Sequence, residues 1–290
     1  ETLVLSRETG RELAHVLSEQ HDAPASPTKA AGVPMQLSKQ ERKQVASTSM
    51  SSYMRMVFED HFVHGDLHPG NIMLHLDPPR AETQGVVDQL RSFVRAASSG
   101  SAGKAGRDFE LVILDAGLAI PLPQDKVEVL RSLAISIVYS DFARAAEILY
   151  NQSPDKSRCW DAASFKSNMA AAFRDCRKDI WEEGRVQVSD TCLRALHLVQ
   201  HYNVGLDVTL TWALFGMLSV EGSARQLDPN VDCARAAMRY VITVPSLLKE
   251  MRCQSRETIR HMVAELICQT VGLDYWDIRH QFGWTWALQD

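Results

Sequence analysis

The chain has 290 residues, 45% of them hydrophobic, enough to bury a core as one large domain or two small ones. Its net charge of -5 gives no electrostatic basis for a nucleic-acid partner, so no nucleic acid is expected. Six cysteines with no Cys-x-x-Cys pair suit reduced, mostly buried thiols better than a disulfide scaffold. The chain opens at Glu1 rather than Met, which suggests a piece of a longer protein, so any targeting segment lies outside the judgement of this sequence.

Leu3, Val4 and Leu5 predict a short strand, and residues 11–20 a helix with Leu13, Val16 and Leu17 on one face. Residues 21–34, with three prolines and a glycine, read as a linker. Ser38 with Glu41 three residues later forms a capping box for a long helix. Its apolar side carries Val45, Tyr53, Met54, Val57 and Phe58, and it delivers the chain to a polar stretch at residue 61. Ile72, Met73 and Leu74 predict one strand, and residues 111–114 another. Between them, residues 77–108 are rich in Gly, Ser, Ala, Pro and charge and read as a long flexible insertion; residues 86–97 within it are compatible with a helix.

From Gln124 onward the pattern is helical. Val127, Leu130, Leu133, Ala134, Ile137 and Val138 mark a first helix, and residues 162–183 a second, closed by Gly184. Ser189 and Asp190 are read as the cap of the next, ending near residues 203–205. Asp207 opens another, which contains the longest apolar run, residues 206–220. That run is too short to span a bilayer and reads as a buried helix. A turn at Leu227-Asp228-Pro229 stops it, and Asp228 or Asn230 is expected to cap the one after. No internal repeat is visible. The order implies an α-rich α+β fold.

The stretch HFVHGDLHPGNIML, residues 61–74, carries the chemistry. Alternating His64, Asp66 and His68 invite a metal reading, but a hydrolytic zinc site needs three fixed ligands and an open position, and no second cluster completes one. A plainer reading has the histidines satisfying backbone groups and Asp66 capping a turn. A third explains more residues. His64-x-Asp66-Leu67-x-x-x-Asn71 fits the kinase catalytic-loop pattern, with Gly65 in place of Arg. Phosphoryl transfer needs an aspartate to accept or orient the proton of the attacking hydroxyl, and an asparagine five residues on to reach a magnesium ion. Pro69-Gly70 supplies the turn between them. The strand ending in Asp115-Ala116-Gly117 then places a carboxylate where it can bind Mg²⁺, although Asp-x-Gly alone also describes an ordinary turn.

HGDLHPGNIML and LVILDAGLAIPL resemble the catalytic and metal loops of the UbiB-type, aarF-domain-containing atypical kinases, nearest the animal mitochondrial members. His68 stands where ordinary protein kinases carry Lys and this family carries His. VEGSARQLDPNVD, residues 220–232, resembles a further family segment, and the likeness covers roughly residues 1–241. The resemblance implies a protein-kinase-like C-terminal lobe, with small β elements around the catalytic loop and a helical bundle. It implies ATP and Mg²⁺ as cofactors, and a role in ubiquinone or lipid metabolism in mitochondria. It further implies catalytic roles for Asp66 and His68, the latter beside the γ-phosphate. Asn71 and Asp115 become metal ligands, with Asn71 also on the nucleotide, and Leu5, Ser6 and Arg7 border the adenine. Residues 1–10 become the hinge region, 11–241 the lobe with its insertion at 77–108, and 242–290 a helical and aromatic extension.

Departures narrow the expectation. The family's Lys-x-Gly-Gln motif, its Ala-rich loop and its strand lysine paired with a helix glutamate have no counterpart here; Lys29, Lys39 and Lys43 fall in linker or helix. Ala116 replaces the usual Phe, and Gly65 removes the Arg that would pair with a phosphorylated loop. After Gly117 the helical pattern resumes by Gln124 with no Ala-Pro-Glu, which predicts water, a small molecule or a lipid-like headgroup as acceptor rather than an extended polypeptide. Two alternatives stand. One is a non-catalytic pseudokinase scaffold. The other is a small-molecule kinase of the aminoglycoside or choline type, against which EGSARQLDP argues. The tail residues Trp276, Phe282, Trp284 and Trp286 either make a peripheral membrane contact or pack on the bundle, and general burial favours packing.

Overall fold

A computed structural model describes residues 10–21, 37–76, 109–182, 188–275 and 278. Helices dominate among them, as the α-rich α+β expectation requires. Chain order runs β1 (Arg11–Glu12), α1 (Leu13–His21), α2 (Lys39–Phe58), β2 (Phe62–His64), β3 (Ile72–Leu76), β4 (Phe109–Ile113) and β5 (Ala119–Pro121). The bundle follows as α3 (Gln124–Val138), α4 (Phe142–Asn151), α5 (Ala162–Glu182), α6 (Val188–His201), α7 (Val208–Leu227), α8 (Cys233–Val241), α9 (Val244–Glu250) and α10 (Arg256–Thr270). The strands form two antiparallel sheets, β1-β3-β4 and β2-β5.

Helix α2 begins where the sequence says. Ser38 Oγ accepts from Glu41 N at 3.2 Å while Glu41 Oε2 accepts from Ser38 N at 2.8 Å, so two orphan donors are satisfied reciprocally. Val45, Met50, Tyr53, Met54 and Val57 are buried in the main core with residues of α7 and α8. The approach to α7 is close. Tyr53 donates to the Ala213 carbonyl at 2.5 Å, and a Cβ on Gly216 would stand 2.6 Å from the same hydroxyl. At its far end α2 is tied by Arg131 of α3, which donates to the carbonyls of Phe58 at 2.6 Å and Val241 at 3.2 Å. One guanidinium thus closes the C-termini of α2 and α8.

Several boundaries differ from the sequence reading, each for a local reason. Arg11 and Glu12 pair with Leu74 and Met73 rather than opening the helix, so α1 starts at Leu13. Helix α4 intervenes before residue 162, with Asp141 accepting from Arg144 N at 3.1 Å as its cap. Helix α6 starts at Val188, so Ser189 and Asp190 lie in its first turn and do not precede it. Asp232, not Asp228 or Asn230, caps α8 by accepting from Arg235 N at 2.9 Å; Asp228 is used one turn earlier, accepting from Asn230 N at 3.0 Å. Asp207 does cap α7, accepting from the amides of Thr209 and Leu210. The strand at residues 3–5, the linker, the insertion at 77–108 with its helix, Gly184 and the aromatic tail lie outside the described residues.

Helices α9 and α10 pack on the same core, to which Ile242 and Met262 belong. Glu250, 1% exposed, accepts from Ser132 Oγ at 2.8 Å and pairs with Arg144 at 2.8 Å. Among the described residues no helix is long and apolar enough to cross a membrane. The described cysteines are free thiols; Cys192 and Cys233 are buried, Cys159 and Cys268 half-buried, and Cys253 exposed.

Candidate active site

Helix α2 ends at Phe58, His61 turns the chain with φ 56°, and β2 begins at Phe62. β2 pairs with β5 in register His64 with Ala119, and Gly65 N continues the contact by donating to the Leu118 carbonyl at 2.8 Å. A Cβ on Gly65 would stand 2.8 Å from Leu118 Cδ2 and 3.2 Å from Ile120 Cδ1. A larger residue such as the Arg of the ordinary kinase pattern would have to displace Leu118, whose side chain lies against the loop at Gly65.

His64 is 2% exposed and joins the two loops. Its Nε2 lies 3.1 Å from the Leu114 carbonyl, which only accepts, so the proton is on Nε2. Its Nδ1 then accepts from the backbone N–H of Asp66 at 3.3 Å. One neutral imidazole thus fixes Asp66 against the residue that precedes Asp115. From below, Ser219 of α7 donates to the Leu67 carbonyl at 2.7 Å, and Leu67 itself is buried.

The turn at Pro69–Asn71 is a single 3₁₀ turn capped by His68, whose Nδ1 accepts from Gly70 N at 3.0 Å. His68 Nε2 sits 3.9 Å from Asp66 Oδ2, beyond hydrogen-bond range, and both side chains are exposed. Asn71 Nδ2 donates to the Asp66 carbonyl at 2.9 Å, which leaves Asn71 Oδ1 as an acceptor. The Asn71 carbonyl in turn accepts from Leu114 N at 2.8 Å, next to the Ile72–Ile113 pair of the β3-β4 ladder. Asn71 and Asp115 therefore stand at neighbouring strand ends.

Asp115 is exposed and has φ 54° and ψ 65°. A left-handed non-glycine residue is strained and persists where the surroundings hold it. Here Asp115 Oδ1 accepts from Gly117 N at 3.3 Å, leaving Oδ2 to a ligand. The turn reading and the site reading thus coexist: His64 spends both ring nitrogens on backbone groups, whereas His68 and Asp115 each satisfy a backbone amide with one atom and keep a second polar atom for the site. The oxygen donors of Asn71 and Asp115 suit a hard cation whose remaining positions go to phosphate and water. The three-ligand zinc reading is not supported, since no group of three or more His, Cys, Asp or Glu is placed to hold a metal among the described residues. Leu5, Ser6 and Arg7 lie outside the described residues. Sequence reasoning did not single out Ser219; its only signal is a hydroxyl on an otherwise apolar stretch of α7.

Residues 31–149 match the ABC1 atypical kinase-like domain. The chain is 24% identical to a probable protein kinase UbiB of Xylella fastidiosa, over 78% of this chain and 34% of that protein. It is 23% identical to a probable serine/threonine-protein kinase of Dictyostelium discoideum, over 68% of this chain and 34% of the relative. It is also 22% identical to a mitochondrial ABC1 family protein of Saccharomyces cerevisiae, over 68% of this chain and 32% of the relative. The chain spans about a third of the length of these curated relatives. No solved structure matches it.

Proposed function

Because the chain carries the ABC1 atypical kinase-like domain of UbiB-type proteins, we propose that the intact protein binds Mg-ATP and catalyses phosphoryl transfer or ATP hydrolysis at the Asp66–Asp115 site. The observation that supports this reading is the hydrogen bond from Leu114 N to the Asn71 carbonyl, which joins the strand ends that carry the two candidate metal ligands. Asn71 Oδ1 and Asp115 Oδ2 hold the magnesium ion, which when bound neutralises charge on the β- and γ-phosphates. Asp66 accepts or orients the proton of the attacking hydroxyl, and its backbone is held by His64 while it does so. Gly70 N–H claims His68 Nδ1, so a neutral His68 carries its proton on Nε2 and presents it as a donor to a phosphoryl oxygen.

The packing of β5 supports a reading of the acceptor. Leu118 and Ile120 lie against Gly65, β5 is hydrogen-bonded to β2, and α3 begins at Gln124. Among the described residues, that leaves no free segment between Gly117 and Gln124 to bed an extended polypeptide. Water, a small molecule or a lipid-like headgroup is the acceptor, in support of ubiquinone or lipid metabolism. The mitochondrial names of the yeast relatives support a mitochondrial site, beside relatives from bacteria. The test is to incubate the intact protein with labelled ATP, mixed peptides and membrane lipid extract, then identify the labelled product. Label in phosphate or in a small or lipid product, abolished by Asp66→Asn, is expected. Robust labelling of peptides in trans, abolished by the same substitution, would overturn the acceptor assignment.

A further inference from the structure

Away from the catalytic loop, the first half of α2, the turn before α8, α8 itself and α10 enclose a cavity of about 590 Å³. That is the size of a small-ligand site, which runs to roughly 300–1,000 Å³. Glu265 of α10 lines it with only 5% exposure. Its Oε1 accepts from Gln269 Nε2 at 3.0 Å, but the buried Oε2 has no hydrogen-bond partner among the described residues. Burial, and then the neighbouring Asp274 carboxylate, hold the Glu265 carboxyl above its usual range. A buried acceptor of this kind calls for an explanation.

The charges on the rim are unevenly used. Arg235 is taken by Asp274, with contacts of 2.6 and 2.8 Å. Asp228 and Asp232 each accept from one backbone amide through Oδ1, at 3.0 and 2.9 Å. Lys43 and Arg239, both exposed, make no ion pair among the described residues; the Arg239 guanidinium lies 4.9 Å over the Tyr240 ring. Beside the second oxygens of Asp228 and Asp232, the lining offers a buried acceptor on the wall and two cations at the mouth. We propose that this cavity binds a small zwitterion, whose amine meets Glu265 Oε2 and whose phosphate or similar anion is held by Lys43 and Arg239. A ligand with one charge would leave half of this lining unmatched. The site stands apart from the catalytic reading and does not depend on it.

The same chemistry occurs in a free phosphoamine and in the headgroup of an ethanolamine phospholipid. Calorimetric titration of the protein with O-phosphoethanolamine, ethanolamine and inorganic phosphate tests the first source. Flotation with vesicles of phosphatidylcholine, with and without phosphatidylethanolamine, tests the second, because a trimethylammonium has no N–H for Glu265. Saturable binding of O-phosphoethanolamine about tenfold or more tighter than either half-molecule is expected, or flotation that requires phosphatidylethanolamine. Glu265→Gln and the Lys43→Ala/Arg239→Ala double variant should each weaken it by about tenfold or more. The double variant changes only exposed positions, so it keeps the test valid should Glu265→Gln fold poorly. No saturable binding in either arm, or binding that survives the double variant of unchanged melting temperature, overturns the proposal.

Discussion

The catalytic-loop end and the junction of α3, α4 and α9 both hold carboxylates, and they treat them in opposite ways. At the loop, Asp66 and Asp115 face solvent, while the buried hydrogen bonds behind them come from His64, Ser219 and the backbone. At the junction, Glu250 is 1% exposed and fully engaged by Ser132, Gln254 and Arg144. An exposed carboxylate contributes little to stability and is available to a ligand. A buried, paired one contributes nothing to chemistry, and its removal leaves an uncompensated partner. The two regions should therefore respond to the same kind of substitution in opposite currencies.

The largest effect should appear at the loop. Asp66→Asn is expected to lower turnover of the intact protein by about 10²- to 10⁴-fold with an unchanged melting temperature. A loss of stability matching the loss of turnover would make Asp66 a turn cap and erase the contrast. Next comes the junction: Glu250→Ala should cost about 3 kcal/mol in urea unfolding, with turnover per folded molecule retained. A change near zero would show that Arg144, 23% exposed, is rescued by water. Gly216→Ala, which forces a methyl against Tyr53, should cost about 1–3 kcal/mol by the same measurement.

These sites were unequally legible in the sequence. Ser38 with Glu41, and Asp207 before an apolar run, are short-range signals, and both caps are where they were read. The catalytic spacing was legible because the turn at Pro69–Asn71 is local. The β2-β5 ladder was not: three-residue strands carry no periodicity, and their pairing joins residues far apart in sequence. For the same reason the sequence offered metal, turn and catalytic-loop readings of His64 but not its link to Leu114, fifty residues on. The α8 cap was misplaced by four residues or fewer because Asp228, Asn230 and Asp232 all have the chemistry, and only the turn geometry chooses among them.

The smallest effect concerns pH. Glu265 has a folded pKa raised by burial, so the folded state binds its proton more tightly than the unfolded state does. Its stabilising contribution is present below the unfolded carboxyl value and is lost as pH rises toward the raised folded one. Arg235 opposes this shift and Asp274 adds to it. Glu265→Gln should flatten the decline of melting temperature with rising pH above the ordinary glutamate range. An unaltered pH profile would show that Glu265 titrates normally.

In the proposed function Asn71 and Asp115 hold the metal and Asp66 does the chemistry. Calorimetric titration of ATP into the intact protein, with and without Mg²⁺, tests this division in the unaltered chain, Asp66→Asn and Asp115→Asn. Tight binding that requires Mg²⁺ is predicted for the first two, and a loss of about tenfold or more for Asp115→Asn. Equal ATP affinity without Mg²⁺, or unchanged Mg-ATP affinity in Asp115→Asn, would contradict it.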